Sequence, residues 1–178
     1  MASEALQALY AGDAERGRAL LPPDDGLSVF EAAAFGRVDR LAAILDADPA
    51  QAAAFSADGF TALHLAVFGG QAQAAAALIE AGAGLDACST GPVAQVPPLG
   101  TAAFARSVPL ARLLLDAGAD VNGRGGGGFT ALHTAAANGD EELVGLLLER
   151  GADPRLAADD GRRPADLAPG ALRGLLSG

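Results

Sequence analysis

The chain has 178 residues, a formal net charge of −10, and no lysine among its 12 basic residues. An excess of carboxylates repels a phosphate backbone, which excludes nucleic acid as a main ligand. No apolar stretch approaches the roughly 20 residues of a membrane span, and the single cysteine, Cys88, excludes an internal disulfide or a multi-cysteine metal site.

Half of the chain (51%) is apolar, but mostly through small residues: 44 Ala and 26 Leu, beside 24 Gly. Aromatics are only 4%, so a core must come from close backbone approach. A chain of this length buries roughly 70% of its unfolded surface and needs no staple. The arginine-only, alanine-rich usage points to a high-GC bacterial coding habit. The opening Met1-Ala2-Ser3-Glu4 has no basic region, and Asp13 and Glu15 come early, which reads against a secretory signal and for the cytoplasm.

Taken in chain order, the sequence repeats itself. Residues 1–26 read as N-terminal capping helices, a half-unit in which Gly12 and Ala19-Leu20-Leu21 resemble Gly36 and Ala43-Ile44-Leu45 of the next unit. Residues 27–60 form a first unit, from Val29-Phe30-Glu31-Ala32-Ala33 through Gly36 to Ile44-Leu45. The second unit, 61–96, opens on Thr61-Ala62-Leu63-His64-Leu65-Ala66 and passes Gly70, Leu78-Ile79 and Gly82-Ala83. The third, 97–129, is a weaker copy: Pro97-Pro98-Leu99-Gly100-Thr101-Ala102, then Leu113-Leu114-Leu115 and Gly118-Ala119. The fourth, 130–162, restores the pattern with Thr130-Ala131-Leu132-His133-Thr134-Ala135, Gly139, Leu146-Leu147-Leu148 and Gly151-Ala152. Residues 163–178 read as a truncated capping repeat. The starts at 27, 61, 97, 130 and 163 are 34, 36, 33 and 33 residues apart.

Thr61 and Thr130 are good N-caps for a short helix. Pro98 and Pro164 sit in the first turn, where a missing N–H costs nothing. Gly36, Gly70 and Gly139 suit a left-handed residue that turns the chain into a second helix carrying the larger apolar groups. A dozen residues per unit remain for an extended loop or hairpin finger. Each unit leaves a face unburied, and stacking on its neighbours buries it.

The motif resembles the ankyrin repeat, T-P-L-H-x-A at a period of about 33 residues. The resemblance covers 27 to about 168 and implies an all-α solenoid of stacked helix-turn-helix repeats with finger loops or short β-hairpins. It also implies protein binding as a class, without supplying a partner. Three departures mark the third unit. Arg106 takes the inner turn's glycine slot, Gly100 replaces the motif histidine, and the preceding finger, Leu85–Val96, is longer.

Other chemistry is weakly represented. His64 and His133 stand two units apart and read as structural motif histidines bonding neighbouring backbone; no third ligand completes a zinc shell. Gly123-Arg124-Gly125-Gly126-Gly127-Gly128-Phe129-Thr130 nearly spells a phosphate loop, but Phe129 stands where the lysine must be. Cys88 has no adjacent cation or histidine in sequence to activate it. No cofactor or metal is implied.

Five phenylalanines recur at related positions: Phe60 and Phe129 before the motif threonine, and Phe35, Phe68 and Phe104 at the ends of inner helices. They read either as a partner-binding stripe or as packing between units. Asp58, Asp86 and Asp120 near the same edge would favour a partner with a basic rim. The leading expectation is a monomeric, non-enzymatic protein-binding module using its concave face and fingers. A delivered effector or inhibitor of a foreign protein is the alternative, and an enzyme with a site in the third unit is a further one.

Overall fold

In a computed structural model, residues 2–91, 95–170 and 172–176 are described. Twelve α-helices and three 3-10 turns account for the regular structure among them, and the one β-bridge joins Phe55 to Thr61. The helices form two compact units, each held by its own contacts.

The first unit contains α1 (Glu4–Tyr10), α2 (Ala14–Ala19), α3 (Val29–Ala34), α4 (Val38–Ala47), α5 (Ala62–Phe68) and α6 (Ala72–Glu80). The inner helices α3 and α5 lie close along their length. Small residues allow it: Ala32, Ala33, Ala62 and Ala66 are all completely buried. The outer helices α4 and α6 contribute Leu41 and Leu78, which close the other side of the core.

The second unit contains α7 (Pro98–Phe104), α8 (Val108–Asp116), α9 (Ala131–Asn138), α10 (Glu141–Glu149), α11 (Pro164–Leu167) and α12 (Leu172–Leu176). Inner helices α7, α9 and α11 stack in turn. On the outer side Leu110, Leu114, Leu143 and Leu147 are at most 2% exposed.

The turn between inner and outer helix is left-handed in every repeat. Gly36, Gly70 and Gly139 have φ of 69°, 72° and 66°, and Arg106 adopts 54° in the same slot. A side chain there costs about 1 kcal/mol relative to glycine. The Arg106 guanidinium donates to the Asn138 carbonyl at 2.9 Å, and the Asn138 amide donates to the Ala103 carbonyl at 3.1 Å. This reciprocal pair ties the ends of α7 and α9 together and offsets part of the strain.

Fingers in the second unit interlock through backbone. Asp86 accepts from the Asp120 N–H at 2.9 Å, and Asn122 accepts from the Asp153 N–H at 2.8 Å. In the long finger Leu85–Val96, residues 92–94 lie outside the described residues, as do 171, 177 and 178 of the C-terminal cap.

Candidate functional site

The motif Thr and His form the best-defined local structure. At the start of α5, Thr61 Oγ1 lies 2.8 Å from His64 Nδ1, and the Thr61 N–H donates to that nitrogen at 3.3 Å. At the start of α9 the corresponding distances are 2.9 and 3.2 Å. Both histidines are completely buried. Because Nδ1 of His133 accepts from the Thr130 N–H, its proton resides on Nε2, which donates to the Arg162 carbonyl at 3.1 Å. Burial, then the Arg162 carbonyl acting in opposition, set the titration of this ring. Burial prevails, with the Arg124 charge assisting, and the imidazole is held below its usual range. Both pairs cap their helices, and His133 also ties its repeat to the next. Gly70 and Gly139 occupy the left-handed turns, and Pro98 is the first residue of α7.

The five phenylalanines have different surroundings. Phe35 was one of the partner-contact positions expected from sequence, and the structure corrects this: it is 6% exposed, in a cluster with Ala5, Leu6, Leu9, Ala34 and Leu65. The reason is the N-terminal helix pair: α1 covers this ring, and Gly17 of α2 lies against it. Phe68 and Phe104 stand two places before the left-handed residue of their turn, whereas Phe35 stands one before Gly36. Register alone does not bury it, since Ala105, one place before the left-handed residue of its own turn, is exposed.

Phe129 is half-buried: the His133 ring meets it edge-on at 5.4 Å and the Arg162 guanidinium lies 5.4 Å above its centroid. It packs neighbouring repeats. Phe60 and Phe68 are also half-buried, with Tyr10 at 6.0 and 5.9 Å between ring centres. Phe104 is 68% exposed, at the end of α7. Asp58 accepts from the Ala2 N–H at 3.0 Å, so it holds an internal contact. Asp86 and Asp120 are exposed on fingers of the second unit.

Sequence reasoning missed Tyr10 and Arg162 as ring partners, and Phe55, which is 46% exposed. Tyr10 carried a signal: it stands two before Gly12, as Phe68 stands two before Gly70. Arg162 and Phe55 carried none.

The glycine-rich stretch before Thr130 contains a 3-10 turn, Gly126–Gly128, packed on the following finger. Arg124 donates there to the Ala157 carbonyl at 3.0 Å and pairs with Asp159 at 3.3 Å. Its one cation is engaged with protein, an arrangement unlike a phosphate cradle. Cys88 is half-buried, with its thiol 3.6 Å from the Arg124 carbonyl. Among the described residues no three His, Cys, Asp or Glu side chains converge as metal ligands. None of the described helices is long and apolar enough to cross a membrane.

Comparison with known proteins agrees with this architecture. A family model described as ankyrin repeats (3 copies) matches residues 29–124 and 88–158. An ankyrin repeat-containing protein of Treponema pallidum (strain Nichols) is 42% identical over 121 residues, 68% of this chain and 40% of that protein. The B-cell lymphoma 3 protein homolog of Mus musculus is 39% identical over 99 residues, covering 56% of this chain and 22% of that protein. The human protein phosphatase 1 regulatory subunit 27 is 35% identical over 80 residues, 42% of this chain and 52% of that protein. The chain thus spans well under two thirds of the length of these relatives. With repeated Thr–His capping, left-handed inner turns and a family model spanning most of its length, the chain belongs to the ankyrin-repeat family, whose members are in general protein-interaction modules.

Proposed function

We propose that this chain is a non-enzymatic protein-binding module, working as a monomer in the cytoplasm, whose partner sits against the inner-helix ends and fingers of the second unit. Its repeats are taken as 27–60, 61–96, 97–129 and 130–162. The observation carrying the reading is the 68% exposure of Phe104, a large ring at the end of an inner helix. A rigid aromatic of this kind typically supplies about 2 kcal/mol or more when it anchors an interface. Asp86 and Asp120 are exposed, and their carboxylates, which accept from the Asp120 and Asn122 N–H groups, suit a partner with a basic rim, chiefly through its association rate.

The test compares the wild-type chain with Phe104→Ala. Both are used to capture proteins from cell extract, the captured chains are identified, and their affinities are measured with purified components. The expected result is an unchanged melting temperature and a loss of affinity of about thirtyfold or more for at least one captured protein. Equal affinities for every captured protein would place the partner elsewhere and sink this reading of Phe104.

A further inference from the structure

Inner helices of successive repeats can be compared at one position, two residues before the left-handed turn. It holds Ala34, Phe68, Phe104 and Ala137. In the second unit this position faces water: Phe104 is 68% exposed and Ala137 is also exposed. In the first unit it is covered, with Ala34 at 1% and Phe68 half-buried. The difference is α1.

Helix α1 reaches both inner helices of its unit. Its apolar side, Ala5, Leu6 and Leu9, packs on Ala34 and Phe35 and also on Leu65 of α5. Its final residue, Tyr10, meets Phe68 edge-on at 5.9 Å and Phe60 at 6.0 Å. The Ala2 N–H just before it donates to Asp58 in the finger of the first repeat. Helix α1 packs closely on α2, its own hairpin partner, yet approaches α3 much less closely than α3 approaches α5. This is the footprint of an amphipathic helix laid on a groove, with an aromatic anchor at one end and a polar contact at the other.

The seat is imperfectly matched. The Tyr10 hydroxyl and Asp58 Oδ2 are both buried and lie against each other, without a hydrogen bond of good geometry. Buried polar atoms left this way weaken a contact. Burial, and then the nearby Asp58 charge, raise the Tyr10 phenol well above its usual value, so it remains a neutral hydroxyl.

We infer that α1 is a tethered occupant of the aromatic inner-helix face of the first unit, and that a partner's short amphipathic helix ending in an aromatic residue takes that face by displacing it. The inference rests on the protein-binding reading above and deepens it by adding an occupied second surface with a built-in competitor. The tether raises the local concentration of α1, so a partner must compete against an intramolecular ligand. A partner helix that bonds Asp58 with better geometry than Tyr10 does would have the advantage.

The experiment uses the full chain as wild type, Tyr10→Ala and Asp58→Ala. Hydrogen exchange is followed in α1, α3 and α5. Binding is measured with a labelled synthetic peptide of residues 2–12, Ala-Ser-Glu-Ala-Leu-Gln-Ala-Leu-Tyr-Ala-Gly. In both variants α1 amides are expected to exchange about tenfold faster while α3 and α5 hold their protection. The peptide is expected to bind Tyr10→Ala about tenfold more tightly than wild type, because the competitor is weakened while Phe60 and Phe68 remain. Asp58→Ala removes a receptor contact as well, so its peptide affinity should stay below that of Tyr10→Ala. Loss of protection in α3 and α5 together with α1 would show α1 to be an inseparable part of the core and overturn the inference. Equal peptide binding to wild type and Tyr10→Ala, or no binding to either, would overturn it too. Those outcomes leave the Phe104 surface of the second unit untouched, so the two ideas fail separately.

Discussion

Both histidines, His64 and His133, are completely buried. His133 uses both ring nitrogens, one to cap α9 and one to hold the next repeat's backbone at Arg162. Removing the ring leaves buried donors and acceptors without partners, so His133→Ala is expected to lower unfolding free energy by about 1–3 kcal/mol, read from urea denaturation. Its titration gives a sign that can be checked. The folded imidazole titrates below the unfolded value of 6.5, so the unfolded chain binds the proton more readily. The stabilisation is therefore complete above pH 6.5 and declines as pH falls below it. Wild type should lose stability between about pH 7 and about pH 5.5 more steeply than His133→Ala; parallel curves would show that this ring is not the titrating group. Phe35 makes a contrasting case at the same scale. Truncating that core ring to alanine should cost about 3–5 kcal/mol, whereas Phe104→Ala should stay within about 0.5 kcal/mol of wild type. Chemical denaturation of the two variants side by side separates core ring from surface ring.

Among the helices, α10 allows two opposite changes. Leu147 is completely buried, and Leu147→Ala should destabilise by about 2–5 kcal/mol through lost transfer energy and a cavity. Two residues earlier, Gly145 sits inside the helix with open space where a Cβ would stand. Gly145→Ala should therefore stabilise by about 0.5–1 kcal/mol, through helix propensity and a less flexible unfolded chain. Thermal melts decide both, and a destabilised Gly145→Ala would mean that its surface is covered in solution. The helices themselves were legible in sequence because their signals are local: a threonine cap, a proline in the first turn, a turn glycine, an aliphatic run. The orientation of the phenylalanines was only half legible. Phe35 is buried by α1 and by Gly17 of α2, a covering that no local pattern around Phe35 announces. The seat of α1 was barely legible: the place of Tyr10 two before Gly12 hints at a ring position, but no local pattern encodes its meeting with Phe60 and Phe68, far along the chain.

For the whole molecule, charge is the term that solution conditions can move. With 22 acidic against 12 basic residues, the folded chain repels itself. Going from roughly 10 mM to 150 mM salt shortens the screening length from about 30 Å to about 8 Å. The melting temperature at neutral pH is expected to rise across that range; a fall would mean that surface ion pairs such as Arg150–Asp116, at 2.7 Å, outweigh the repulsion. Distance along the chain has a second consequence, for the order of events in folding. The contacts that join neighbouring repeats, from Asp120 to Asp86, Asp153 to Asn122 and His133 to Arg162, span 34, 31 and 29 residues. The Ala2–Asp58 bond spans 56. Closing that longer loop costs only about 0.5 kcal/mol more in entropy. However, it cannot form until Asp58, Phe60 and Phe68 are already in place to receive α1. Repeat pairs should therefore assemble first, on the timescale set by near-neighbour contacts, and α1 should dock last as a separate slow-to-arrive step, so that a chain newly released from unfolding passes through a stage in which its aromatic face is bare.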